Sequence, residues 1–230
     1  MESQTDYLLV VAHVCAFFSC RISFPALSYL QKLNMYNYRK MTEEQQKDVL
    51  RTRRINKLPL HEPFHKYDEH AKLYLITAAN YEHKTIMSSE ARRICLEDLF
   101  LSVLNNDESC LHSWCILPNH YHLLIKTELS KFKKTIARIH WRTSHQWNIE
   151  DSTPGRNVWF RFSDRAIRNE SHFWATVNYI HSNPVKHGYV KKANNWETSS
   201  LEDYLERYGR EKLVAIWRKY PVGDYGKGWD

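Results

Sequence analysis

The chain has 230 residues, 43% of them hydrophobic and 13% aromatic. That is enough apolar material for a folded core and excludes a disordered chain; six glycines and seven prolines exclude a collagen-like or low-complexity one. Thirty-three Lys and Arg against 26 Asp and Glu leave a net charge of +7. Such a balance points to a polyanionic partner and says nothing of fold, while the length suits one domain with extensions or two small ones.

The five cysteines (Cys15, Cys20, Cys95, Cys110 and Cys115) are odd in number and contain no C-x-x-C pair. This argues for reduced thiols in a cytosolic protein rather than a disulfide framework or a thiolate zinc site. The most apolar run, Tyr7 to Cys20, is 14 residues long, and a membrane span needs about 20. Glu2 and Asp6 are the only charged side chains before it, so no basic signal-peptide region precedes it. It reads as a buried element or as a translated leader, with Met35 and Met41 as alternative starts, which makes residues 1–40 an extension. Residues 41–70 form a polar arm: a short helix, then an extended stretch around Pro59 and Pro63.

Leu73 to Thr77 is a short apolar run and predicts a buried strand. From Ser88 or Ser89, Ala91, Ile94, Cys95, Leu99 and Val103 recur at helical spacing until Asn105-Asn106. His112–Ile116 and His120–Lys126 flank a Leu-Pro-Asn break and predict two paired strands. Leu129, Phe132, Ile136, Ile139, Thr143 and Trp147 mark the buried stripe of a second helix. Asp151 to Asn157 is a loop and Val158–Phe162 a strand. Glu170–His181 is a third helix, expected to end near Asn183-Pro184. Tyr204, Leu205, Tyr208, Leu213, Ile216 and Trp217 predict one more helix in the tail, 196–230. This order gives an α+β fold, an antiparallel sheet with helices on one face.

His120 and His122 lie two apart at the start of a strand, so both imidazoles emerge on one face while Tyr121, Leu123 and Ile125 face the other. Two adjacent imidazoles make half of a divalent-metal site; the ordinary alternative is a common tripeptide in a chain with 13 histidines. Tyr179 and Asn183, four apart, share one helical face. A tyrosine oxygen can act as a nucleophile, and the Asn amide oxygen could supply a third ligand. The plainer readings are a packing tyrosine and a turn-forming Asn-Pro. Residues 126–192 carry 13 Lys or Arg against 5 Asp or Glu, an excess larger than that of the whole chain. Lys131, Lys134, Arg138 and Arg142 form a ridge along the second helix with no interleaved acid. Arg156, Arg161, Arg165 and Arg168 extend it, and such charges suit phosphate contacts. Trp141, Trp159, Phe160 and Trp174 are interleaved, and aromatic faces can stack unpaired bases.

The run Leu117-Pro118-Asn119-His120-Tyr121-His122-Leu123-Leu124-Ile125, followed by Tyr179-Ile180-His181-Ser182-Asn183-Pro184-Val185-Lys186-His187-Gly188, resembles the REP-associated tyrosine transposases, relatives of the single-tyrosine HUH transposases. Val158-Trp159 to Asp164-Arg165, and Trp196 with Ser199-Ser200, are also similar to that family's pattern, and the resemblance covers about residues 70–205. It implies a ferredoxin-like or RRM-like HUH endonuclease fold, with the catalytic domain over 71–195. It also implies cleavage and rejoining of single-stranded DNA beside palindromic, REP-like hairpins through a 5′-phosphotyrosine. Tyr179 would be the nucleophile. His120, His122 and Asn183 would hold Mg²⁺ or Mn²⁺; related transposases often carry Gln at the last position, and the shorter Asn asks for a closer helix. Lys131, Lys134, Arg138, Arg142, Arg161, Arg165 and Arg168 would contact DNA. The chain lacks a Gly-rich phosphate loop, so no nucleotide cofactor is expected. A cytoplasmic, nucleoid-associated monomer without a membrane partner is expected rather than a homodimer. The alternatives are a domesticated hairpin binder without cleavage, a metallohydrolase built on H-x-H alone, and an RNA-binding domain.

Overall fold

The computed structural model describes residues 42–44, 47, 51, 71–106 and 108–225. The chain divides into two compact units, the smaller being Phe24–Lys66. In that unit Glu43, Glu44, Lys47 and Arg51 are helical, as the polar segment predicts. The apolar run at Tyr7–Cys20, the alternative starts, the arm around Pro59 and Pro63, and Cys15 and Cys20 lie outside the described residues.

The larger unit is built on four antiparallel strands: β1 (Lys72–Ala79), β2 (Ser109–Ile116), β3 (His120–Thr127) and β4 (Ser163–Ala166), in the order β2-β3-β1-β4. Helices α1 (Glu90–Leu104), α2 (Leu129–Glu150), α3 (Glu170–Lys186), α4 (Leu201–Tyr208) and α5 (Arg210–Lys219) complete it. The α+β expectation holds, but helices cover both faces of the sheet. One face presents Tyr74, Ile76, Tyr121, Leu123 and Ile125 to Leu96 and Phe100 of α1 and to Phe132, Ile136 and Ile139 of α2. The other presents Leu73, Leu75 and Leu124 to Phe173, Val177 and Ile180 of α3, and to Leu201, Tyr204 and Leu213. The cause is visible in the strands. LYLIT and HYHLLI are almost continuously apolar, the composition of strands buried on both sides.

Three boundaries differ from expectation. Val158–Phe162 is not a ladder strand; it makes one bridge, Asn80↔Trp159, and the edge strand starts at Ser163. Helix α3 runs through Pro184 to Lys186. Proline lacks an N–H and interrupts one helical bond, but only in the final turn, where Ser182 Oγ and Asn183 Nδ2 both donate to the Tyr179 carbonyl. The tail holds two helices, not one. Gly209 sits at φ 73 between α4 and α5, a left-handed conformation that side-chain-bearing residues resist.

The tail belongs to the same core. Ile116 N–H donates to the Thr198 carbonyl at 2.9 Å and Ser200 N–H to the Trp114 carbonyl at 3.0 Å. Those bonds occupy the outer edge of β2, which would otherwise be an exposed pairing template.

Candidate functional site

The polar residues gather on the α3 side of the sheet. Alternation along β3 aims His120 and His122 at that face, and their rings meet edge to face with centroids 4.9 Å apart. Both are buried. Asn119 Oδ1 lies 2.7 Å from His120 Nδ1; a carbonyl oxygen only accepts, so this contact puts the proton on Nδ1 and the lone pair on Nε2. Thr77 Oγ1 on β1 holds His122 Nδ1 at 2.8 Å. Its cross-strand register with His122 makes that contact possible. Such partners on the second ring nitrogen orient imidazoles that ligate metals.

Helix α3 crosses above this pair. Tyr179 is fully buried, with its hydroxyl 3.4 Å from His122 Nε2 and its ring 5.0 Å from the His122 ring. One turn on, Asn183 is also fully buried, and its Nδ2 donates to the Tyr179 carbonyl at 3.1 Å. Its Oδ1 finds no donor among the described residues. A buried acceptor left without a donor costs about 1–3 kcal/mol. The amide oxygen therefore suits a cation, and two imidazoles with one amide oxygen suit a divalent ion. Among the described residues no three His, Cys, Asp or Glu side chains converge as a metal site.

Several further residues surround the site. The His187 ring stands 5.0 Å from the His120 ring. Lys186 Nζ lies 5.3 Å over the Tyr179 ring. Tyr225, beyond α5, packs 5.5 Å from Tyr179. Its hydroxyl is held by Thr176 at 2.6 Å and His172 at 2.9 Å. Burial, then Arg165 and Arg168, push His172 down to about 4, and burial pushes Tyr225 up to about 12. Both stay neutral at pH 7.

The basic residues divide into two groups. Lys134, Arg138 and Arg142 are exposed along α2, on the far side of the molecule from Tyr179, and have no acidic contact closer than 4 Å among the described residues. Lys131, on the same ridge, is paired with Glu108 at 2.8 Å and Glu128 at 3.4 Å. Arg156 is spent on Asp151 and Asn148, where it clamps the end of α2. Arg161 and Arg168 are exposed near β4, and Arg165 lies 6.0 Å over the Tyr225 ring. The aromatics divide as well. Trp174 is core; Trp159 stacks on His140 at 4.3 Å; Trp141 is 71% and Phe160 56% exposed.

No family model matches the chain. It is 31% identical over 100 residues to the REP-associated tyrosine transposase of Escherichia coli (strain K12), a match covering 42% of this chain and 57% of that protein. It is 32% identical over 119 residues to the provisionally named REP-associated tyrosine transposase of Haemophilus influenzae, covering 44% of this chain and 68% of that protein. The chain belongs to the REP-associated tyrosine transposase family. It spans little more than half of the E. coli relative's length. Its fold is similar to that of a REP-associated tyrosine transposase solved bound to a REP hairpin, with TM-score 0.50 and 23% identity, over 64% of this chain and 86% of that one. At that identity the likeness speaks for the fold alone. Among the described residues of this transposase-family chain, no helix is long and apolar enough to cross a membrane.

Proposed function

We propose that this chain is a single-stranded DNA endonuclease and strand transferase acting beside palindromic hairpins, with Tyr179 as nucleophile. The observation that carries the reading is the Tyr179 hydroxyl 3.4 Å from His122, at the centre of the buried polar face. Tyr179 Oη bonds to phosphorus, the bond from phosphorus to the 3′ oxygen breaks, the phenol loses a proton and the departing 3′ oxygen gains one. The product is a 5′-phosphotyrosine with a free 3′-OH. One phosphoester replaces another, so the reverse attack by a 3′-OH reseals the strand without a nucleotide cofactor. Mg²⁺ or Mn²⁺ held by His120, His122 and Asn183 would supply a Lewis acid that neutralises charge on the phosphate. Asn119 and Thr77 keep the imidazoles aimed. Arg161, Arg165 and Arg168 lie on the approach from β4 and would meet the DNA backbone, with Lys134, Arg138 and Arg142 as a second contact region.

A second reading, hairpin binding without cleavage, is favoured by one observation: Tyr179 is fully buried, with Tyr225 packed against it. One experiment separates the two. The protein is incubated with labelled hairpin DNA carrying single-stranded flanks, in Mn²⁺, in Mg²⁺ and in EDTA, and run on a denaturing gel. A metal-dependent, protease-sensitive adduct that Tyr179→Phe abolishes is the expected result. DNA binding with no adduct in either metal leaves the binding reading alone.

A further inference from the structure

The edge of the sheet beside His120 is irregular. Going outward along β1, the pairing to the fourth strand changes register. Thr77 pairs with Ser163, yet Asn80 pairs with Trp159. Three residues, Phe160 to Phe162, therefore stand opposite two, Ala78 and Ala79. That is a β-bulge, a device that re-aims side chains and gathers near active sites. Ala79 pairs on its other side with His120. Phe160 N–H donates to the Ala79 carbonyl at 2.9 Å, so Phe160, Ala79 and His120 lie in one row, with Phe160 about 10 Å from His120 by backbone spacing.

Phe160 is 56% exposed, although its neighbours Val158 and Phe162 are buried in the opposite core. Its ring meets Tyr81 at 6.4 Å, tilted by 43°. Tyr81 begins a short turn in which Glu82 and His83 both take positive φ, 57° and 54°. Two successive non-glycine residues in that region cost free energy, and such strain persists where surrounding contacts impose it. The contacts here come from the histidine motif itself. Asn119, which orients His120, donates from Nδ2 to the His83 carbonyl at 3.3 Å and accepts at its own carbonyl from Asn80 N–H at 2.7 Å. One residue sets both the imidazole and the aromatic turn.

We infer that Phe160 and Tyr81 form a stacking site for an unpaired base of the DNA strand flanking the cleaved phosphate, with Arg161 placed by the same bulge for that nucleotide's phosphate. The inference rests on the reading of this face as a DNA-cleaving site. An unpaired base is the occupant because the exposed Phe160 ring, backed by the half-buried Tyr81 and followed in the chain by a cationic residue, complements a planar base and an anionic backbone. A paired base has its faces covered by its neighbours in the stack.

The test measures binding of fluorescein-labelled oligo(dT), and of a blunt fully paired duplex, to wild type, Phe160→Ala and Phe160→Trp. Phe160→Ala is expected to weaken oligo(dT) binding about tenfold, from the usual worth of one base–aromatic stack, and to leave duplex binding unchanged. Phe160→Trp is expected to restore it. Phe160 is exposed, so these variants keep the fold, and matching thermal melts check this. Equal oligo(dT) affinity in wild type and Phe160→Ala, or an equal loss on both DNAs, overturns the stacking site. The adduct gel reads the chemistry separately: an adduct with Phe160-independent binding removes the stacking site alone, and Phe160-dependent binding without an adduct removes the cleavage reading alone.

Discussion

The two faces of one sheet do different work. The face under α1 and α2 is a dry core in which Phe100 meets Tyr121 edge to face at 4.8 Å and Trp147 and Leu123 are fully buried. The face under α3 buries His120, His122, Tyr179, His181 and Asn183. Burying so many polar groups costs free energy unless each finds a partner. His181 Nε2 does, between Ser113 and Ser200; His181 Nδ1 and the Asn183 oxygen find none among the described residues. The same strands supply both faces through alternation, and the proposed function places the chemistry on the α3 face alone.

That separation can be broken by exchanging the two kinds of loss. Tyr179→Phe removes one hydroxyl, which stands at the long distance of 3.4 Å from His122. It is expected to abolish the DNA adduct while costing about 1 kcal/mol or less of stability. Phe100→Ala is expected to cost about 3–5 kcal/mol, as large core truncations do, and to leave adduct formation per folded molecule unchanged. Denaturant melts and the adduct gel together read both. A Tyr179→Phe protein that unfolds, or a Phe100→Ala protein that is stable but inert, would end the division of labour.

The next effect concerns the basic ridge on the dry side. Lys134, Arg138 and Arg142 changed together to Gln are expected to flatten the dependence of log affinity on log salt for hairpin DNA, by about 0.9 for each phosphate that the ridge neutralises. An unchanged slope would make the ridge a solvated helix face. Tyr225→Ala comes next: uncovering Tyr179 is expected to speed adduct formation several-fold in a time course, with little change in melting temperature. A slower rate would instead make Tyr225 a support for the nucleophile. Cutting the chain after Ser200 would remove Leu201, Tyr204 and Leu213 from the core, so the tail is needed for the fold itself.

The sequence shows what a single element encodes. The shared face of His120 and His122 follows from the two-residue period of a strand, and that of Tyr179 and Asn183 from the helical repeat. Asn119 and His187 lie inside the two motifs, beside His120 and one helical turn past Asn183, whereas Thr77 and Tyr225 reach the site from other elements, so no local period marks them. Two-sided helix cover was legible in the unbroken apolar runs of β1 and β3, but the expectation of helices on one face passed over it. The bulge at Phe160 to Phe162 was hidden for another reason: VWFRF has the composition of a regular strand, and only the pairing partners reveal the extra residue.

The smallest expected effect is on pH dependence, again from the polar face. Burial holds His181 down to about 3, and burial with Arg165 and Arg168 holds His172 down to about 4. Both are neutral in the folded chain at pH values where the unfolded chain, with imidazoles near 6.5, binds protons. Stability therefore rises with pH in that window and is lost as pH falls from about 6.5 toward 4. His172→Gln removes one of these groups and is expected to shallow the fall in melting temperature between pH 6.5 and 4 without abolishing it, because His181 still titrates. An unchanged slope would mean that His172 protonates freely in the folded chain. The shell of Tyr225, Thr176 and His172 over Tyr179 would then be open to water, and Tyr225→Ala should give no acceleration.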